Sequence, residues 1–351
     1  MFGFYKKIII IINSLICMFI FSSSFAQEQL IFAVDLIRHG DRTPIHEIPK
    51  SPYSWKEGLG ELTAEGMRQE FQLGTLFRHK YVEQYGLLPP RYRAETIYVR
   101  STDKNRSLMS AESALLGLYP LGSGPVLNPG KPALPDLFQP IPVHTVSYDQ
   151  DNLLGIKFET NMETLARCGI SQSMFEQKIT HFRQKLDTWS RITGMDLHDP
   201  KQLNVLAGNL DIRELHHIPL PKGISHQDAQ EIIKQRNWII AALFKCKEIT
   251  YPMGHEFLMT VAKYLEQASQ GVTPLKYVLF SAHDSSIMSV MNTLGAPMNK
   301  IPGYASYLNF SLFKKNKEYY VKISLNGKPV IMPTCKSSIC SLAKFLELAK
   351  N

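Results

Sequence analysis

Several things are missing from this sequence. It has no GxxxxGK[ST] phosphate loop, no CxxC pair and no dense group of carboxylates. These absences exclude a P-loop nucleotidase, a zinc ribbon and a magnesium-dependent phosphoryl-transfer site. No period of 20 or more residues repeats, which excludes a solenoid or propeller. Apart from the N-terminus no long apolar run occurs, and that one, residues 8–21, is shorter than the roughly 17–25 residues of a spanning helix. What remains is globular: 351 residues, 44% apolar and 20% charged, with 21 Gly and 21 Pro. A chain longer than about 250 residues is expected to form two domains, or one domain with an insertion.

The N-terminus reads as a secretory signal. Lys6 and Lys7 precede the apolar run, and Ser24-Phe25-Ala26 supplies small residues for cleavage after Ala26. The expectation is an exported protein, periplasmic or secreted, with no stable membrane anchor. Loss of the two lysines lowers the formal charge of +8 by two, a mild excess that does not call for nucleic acid. Of five cysteines, Cys17 leaves with the signal. The other four, Cys168, Cys246, Cys335 and Cys340, suggest two disulfides in an exported protein. Cys335 and Cys340 are near enough in sequence for a local loop, which leaves Cys168 with Cys246.

One pattern occurs three times. Residues 30–37 (LIFAVDLI) read as a buried strand running into Arg38-His39-Gly40-Asp41-Arg42-Thr43-Pro44. Residues 96–99 (TIYV) end in Arg100-Ser101-Thr102-Asp103, and residues 277–280 (YVLF) end in Ser281-Ala282-His283-Asp284. In open α/β sheets ligands bind beyond the carboxyl ends of the strands. Parallel neighbours would therefore gather Arg38, His39, Arg42, Arg100, His283 and Asp284 in one crevice.

Helical segments alternate with these strands. Residues 64–85 carry apolar side chains at Met67, Phe71, Leu76 and Phe77, with Thr63 as N-cap, and residues 105–118 repeat the pattern. Residues 306–313 and 318–324 read as an edge hairpin, and residues 341–349 as a last helix. Seven prolines between 120 and 142 mark a connection into a mostly helical stretch, with clear helices at 175–192 and 227–243. A helix at 256–267 leads back to the strand at 277. The predicted fold is α/β: a central mixed, largely parallel sheet flanked by helices, with a smaller helical cap inserted in it. The core comprises 27–140 and 250–351, and the cap 141–249.

Three arginines and two histidines in one crevice suit a tetrahedral dianion better than a single carboxylate, because guanidinium forks match phosphate oxygens in pairs. With no metal site indicated, the expected route is attack by a protein nucleophile. His39 fits, since neighbouring cations disfavour its imidazolium and keep a lone pair free. Asp284 is the natural proton donor to the leaving group, which points to activity in acid. The pair His216-His217 lies in the helical stretch with no metal-ligand pattern around it and reads as solvated. His144 is expected either to reach the site or to hold its loop.

The stretch from Arg38 to Pro44 matches RHGxRxP, and the chain resembles the histidine acid phosphatases, branch 2 of the histidine phosphatase superfamily. Residues 60–67 (GELTAEGM), 99–106 (VRSTDKNR), 140–146 (PIPVHTV) and 281–284 (SAHD) resemble further family segments, in family order. The prostatic and lysosomal type is the better match, because His283-Asp284-Ser285-Ser286 stands where bacterial phytases read HDTN. The resemblance implies an α/β core with a helical cap and hydrolysis of small phosphomonoesters without metal or organic cofactor. It implies a phosphohistidine on His39, phosphoryl binding by Arg38, Arg42, Arg100 and His283, and proton donation by Asp284. Ile45, His46 and Tyr148 are candidates for the leaving-group side, with a packing role as the other reading of Tyr148. A homodimer is among the assemblies that the resemblance allows. A sister-branch phosphomutase is disfavoured by the signal segment, and a pure phospholigand binder by the presence of both His39 and Asp284.

Overall fold

The structure is a computed structural model, in which residues 28–156 and 160–350 are described. The predicted signal, residues 1–26, lies outside the described residues. The three charged strand ends belong to β1 (Gln29–Arg38), β2 (Ile97–Ser101) and β3 (Tyr277–Ala282). These strands are parallel neighbours in the order β2-β3-β1, with Arg38 in register with Ala282 and Ser101 with Ser281. Beyond β1 the sheet turns antiparallel through β4 (Tyr307–Lys315) and β5 (Glu318–Leu325), the predicted hairpin. The short β6 (Lys328–Pro329) and β7 (Ile339–Ser341) both pair with β5. The sheet is thus mixed, and its parallel part is confined to the three strands that carry the site.

Period-two alternation divides the sheet between two apolar layers. Phe32, Val34 and Leu36 of β1 join Val278 and Phe280 of β3 on one face. That face is covered by α8 (Lys247–Gln270), α9 (Asp284–Thr293) and α10 (Leu342–Lys350). Ala33, Ile37, Val99 and Leu279 face the other layer, formed by α1 (Ala64–Arg78) and α2 (Asn105–Leu118).

Thr63 caps α1 as predicted, its hydroxyl accepting the Gly66 N–H. The inward face of α1 is not the expected one. Met67, Phe71 and Leu76 are exposed, and the buried residues are Gly66, Glu70, Leu73, Gly74 and Phe77. The glycines decide this: a Cβ on Gly74 would lie 1.9 Å from the Ala114 carbonyl oxygen. Close backbone approach on the glycine face outweighs the scattered apolar side chains. The helix also ends at Arg78 and continues to Gln84 as a wider π turn.

The stretch after the proline-rich connection is helical: α3 (Met162–Arg167), α4 (Gln172–Ile179), α5 (Arg183–Thr193), α6 (Pro200–Leu215) and α7 (His226–Leu243). A 3₁₀ turn at Thr180–Phe182 splits the single helix predicted there. These helices share their own apolar cluster, which Trp189, Leu206, Ile239 and, from the signature-bearing segment, Ile48 all enter. Cys168 at the end of α3 is bonded to Cys246 at the start of α8, closing the chain around α4–α7. A loop of 78 residues corresponds to about 4–5 kcal/mol of chain-entropy stabilisation. The second disulfide, Cys335–Cys340, closes a local loop.

Candidate active site

The last residue of β1, Arg38, leads into a tight turn at Gly40. The His39 N–H donates to the Ala282 carbonyl at 3.1 Å, which extends the β1–β3 ladder by one bond and sets the ring beside His283. The two imidazoles stand edge to face with centroids 5.5 Å apart. The turn is pressed against the start of α1, and glycine is required on both sides. A Cβ on Gly40 would lie 2.4 Å from the Gly66 carbonyl oxygen, and one on Gly66 would lie 2.2 Å from that of Asp41.

His39 Nδ1 lies 2.8 Å from the Gly40 carbonyl oxygen. A carbonyl only accepts, so Nδ1 carries the proton and the lone pair is on Nε2. Burial, then the charges of Arg38, Arg106, His283 and Arg42, hold the His39 pKa well below the usual imidazole value. His283 is pushed down to about 3, by burial first and Arg106 next. Its Nε2 is 3.1 Å from the Thr102 hydroxyl. Both rings are therefore neutral in mild acid, and His39 is an available nucleophile.

Three guanidiniums surround these rings. Arg38 donates to the Pro302 carbonyl, pairs with Asp284 at 3.0 Å and lies 4.3 Å above the Tyr304 ring. Arg42 donates to the Thr43 carbonyl at 2.8 Å, and Arg106 rises from the first turn of α2. Burial lowers the pKa of Arg106 to about 10, with Arg42 adding repulsion, so it remains a cation. The Nε atoms of Arg38, Arg42 and Arg106 are buried and bond to nothing. Unsatisfied buried donors are costly, and guanidiniums with a spare donor beside a neutral imidazole suit an anionic ligand, although Arg100 and Arg213 elsewhere also leave Nε unpaired. Burial would raise the Asp284 pKa, but Arg38 and then Arg236 outweigh it and bring it down to about 2. Asp284 opens α9, where the helix dipole also favours its charge. Three guanidiniums against one carboxylate leave an excess of two positive charges, the complement of a phosphate dianion.

Arg100 is a correction. Alternation on β2 sends its side chain to the α8 face, where it pairs at 2.7 Å with Asp151, a fully buried carboxylate. Asp151 in turn accepts the Leu153 and Leu154 N–H groups, so the charge of Arg100 is spent away from His39. Arg106, six residues later in the same VRSTDKNR segment, supplies the third guanidinium. The sequence signal was present in that segment, but strand-end reasoning stopped at its first arginine. Tyr304 was also missed, because no charged motif flags it; its ring is 6.0 Å from that of His39.

Of the pocket candidates, Tyr148 adjoins His283, whereas Ile45 and His46 line a separate small cavity. Tyr148 lies edge-on to His283 at 6.3 Å, with Lys104 Nζ 4.1 Å above its ring. Ile45 and His46 line a cavity of about 170 Å³ together with Arg42 and Arg236. A larger cavity of about 790 Å³ opens from Arg38 and Arg42 between α6, α7 and the loop holding Tyr304. His144 holds its loop, stacked on Tyr98 with its N–H on the Val99 carbonyl. His216 is a second correction: it is not solvated, because its Nε2 stands 2.8 Å from buried Asp41.

Comparison with known proteins agrees with this architecture. A model of the histidine phosphatase superfamily, branch 2, matches residues 29–189 and 242–326. Prostatic acid phosphatase of Bos taurus is 30% identical over 343 residues, covering 92% of this chain and 84% of that protein. Lysosomal acid phosphatase of Bos taurus is 32% identical over 339 residues, covering 92% and 77%. Among solved structures, a phytase from Citrobacter braakii shares the fold with a TM-score of 0.65 at 16% identity, covering 92% of this chain and 97% of its own. The family match spans both halves of the sheet and all three charged strand ends, so this chain belongs to branch 2 of the histidine phosphatase superfamily and is an enzyme of the histidine acid phosphatase type.

Proposed function

We propose that the protein is an exported acid phosphatase that hydrolyses small phosphate monoesters through a phosphohistidine on His39, with Asp284 as proton donor and no metal or organic cofactor. The observation that carries this reading is the free Nε2 of a neutral His39 inside a ring of three guanidiniums with unpaired Nε donors. Arg38, Arg42, Arg106 and His283 hold the phosphoryl oxygens and supply the charge that a metal supplies elsewhere. The Nε2 lone pair attacks phosphorus in line with the ester oxygen. The P–N bond forms, the P–O bond breaks, and the leaving oxygen takes the proton of Asp284. Asp284 then accepts a proton from water, whose oxygen attacks phosphorus and breaks the P–N bond, so phosphate leaves and His39 and Asp284 are restored.

The acid is created by its substrate. In the free site Asp284 is charged because Arg38 faces it. A bound dianion draws on the same guanidinium and adds negative charge beside the carboxylate, which favours uptake of a proton. Mild acid supplies that proton, and the ester's own monoanion can bring it, since the second phosphate ionisation lies near about 6.

Export is supported by the signal-like residues 1–26 and by the two disulfides, which suit an oxidising compartment. The division into a core and a cap of residues 141–249 belongs to the same reading: the separate apolar cluster of α3–α7 supports it. The test is hydrolysis of p-nitrophenyl phosphate by the mature chain from pH 3 to 8 with EDTA present. Activity that peaks in acid and survives EDTA is expected; loss in EDTA would overturn the metal-free mechanism. A p-nitrophenol burst in rapid mixing, with acid-labile phosphate on His39, checks the intermediate.

A further inference from the structure

Three residues of α6 and its end lie on one stripe and grip the segment that follows β1. Asn209 Nδ2 donates to the His46 carbonyl at 2.9 Å. Four residues later Arg213 donates to the Ser51 carbonyl, and to the Ser51 hydroxyl at 3.3 Å. Three residues beyond, His216 places Nε2 2.8 Å from Asp41 Oδ2. Spacings of four and three put all three side chains on one face of the helix. Asn209 and Arg213 are both buried, so this is an interior contact.

The third contact reaches the nucleophile's own turn. Asp41 is two residues from His39 and fully buried. Its N–H donates to Gln69 Oε1 at 2.9 Å, and its Oδ2 accepts the Thr63 hydroxyl at 2.5 Å. Its other oxygen, Oδ1, has no partner. A buried carboxylate held by a single hydroxyl is poorly compensated, and a buried charge needs a counter-charge or full hydrogen bonding. His216 adds a second polar contact, on Oδ2. Its Nε2 is buried and stands against Oδ2 without the geometry of an aligned hydrogen bond, so the contact is between the polar edge of the ring and the carboxylate. The edge of the Trp55 ring system meets its imidazole at 5.6 Å, and the helix ends there, with His217 turning the chain at φ +56°.

We propose that His216 is a positioning residue: by holding Asp41 it locks the Gly40 turn to the helical layer and so aims His39 Nε2 at phosphorus. The catalytic groups themselves are untouched by it. The inference rests on His39 being the nucleophile. Misplacement of a reacting atom by about 1 Å costs on the order of 100-fold in rate, so the effect belongs in the chemical step.

The test uses the full mature chain and variants His216→Ala, His216→Gln and His217→Ala, with p-nitrophenyl phosphate and active sites titrated by the burst. For His216→Ala the phosphorylation rate per active site should fall about 10- to 100-fold. Inhibition by inorganic phosphate should stay within about two-fold, because Arg38, Arg42 and Arg106 are unchanged. The Gln variant keeps an N–H donor and should recover most of the rate, and His217→Ala should match wild type. If His216→Ala does not fold, His216→Phe, which keeps the packing on Trp55, takes its place. A normal rate per active site in the Ala or Phe variant overturns the proposal, as does a Gln variant no better than Ala. An inactive wild type would instead overturn the phosphatase reading itself.

Discussion

Arg38 Nη2 stands 3.0 Å from Asp284 Oδ2 across the carboxyl ends of β1 and β3. In the proposed mechanism, the group that receives phosphate and the group that protonates the leaving oxygen are thus one ion pair before substrate arrives. Substrate binding breaks into that pair, which makes the acid available only when there is something to protonate. It would also let a carboxyl whose pKa is about 2 in the free site take up a proton in mild acid once phosphate is bound.

Replacement of the nucleophile gives the first prediction. His39→Ala should lower kcat by about 10⁴-fold or more, since the lone pair that attacks phosphorus is removed. The variant should fold, because it removes a buried imidazole that bonds only to its neighbouring carbonyl. A folded variant with near-normal turnover would refute the covalent route.

Asp284→Asn should separate leaving groups. An alkyl phosphate leaves as a strong base and needs the proton, so its kcat should fall about 10²–10⁴-fold. The loss for p-nitrophenyl phosphate should be much smaller. Equal losses across a series of phenyl and alkyl esters would move the acid's role to another group.

The two arginines of VRSTDKNR should behave in opposite ways. Arg106→Ala should reduce kcat/KM and weaken inhibition by phosphate, with little loss of Tm, because it relieves repulsion with Arg42. Arg100→Ala should instead lower stability by about 3–5 kcal/mol, since it leaves Asp151 buried and unpaired. Kinetics and thermal melts on both variants check this, and a reversed outcome would mean that Arg100 holds the substrate.

Stability should fall in acid. His283 has a pKa of about 3 in the fold against an ordinary value of 6.5, and His39 is shifted in the same direction. Below pH 6.5 the unfolded chain binds protons that the native site refuses, so each histidine opposes folding more as the pH drops. For His283 the cost reaches about 3 kcal/mol at pH 4.5. Asp284 has the other sign: its contribution is present above the ordinary carboxyl pKa and is lost only as the pH falls towards 2. Melting curves at pH 7, 5.5 and 4.5 should decline less steeply for His283→Asn than for wild type. Identical slopes would show that His283 is protonated in the native site.

The strands, their charged ends and most helices were legible because each is a local pattern. β1, β2 and β3 are apolar runs that stop at charge, and α2 spans Asn105–Leu118, the span its periodicity predicts. His39, Arg38, Arg42, His283 and Asp284 were legible for the same reason, because a strand end carries its residues into the crevice whatever packs around it. The cysteine pairing followed from the short span between Cys335 and Cys340, which leaves Cys168 for Cys246.

What required the tertiary structure was direction. Alternation along β2 turned Arg100 towards Asp151, while helical geometry brought Arg106 into the ring, a choice that six residues of sequence do not display. Backbone contacts at Gly66 and Gly74 turned α1 onto a face that its apolar residues do not mark. His216 met Asp41 across a separation of 175 positions through a stripe of α6. Residue type and spacing along the chain determined the family and the three charged strand ends; which of its arginines and histidines stand together there was decided by long-range packing, because a side chain's partner depends on a neighbour that only the folded chain brings near.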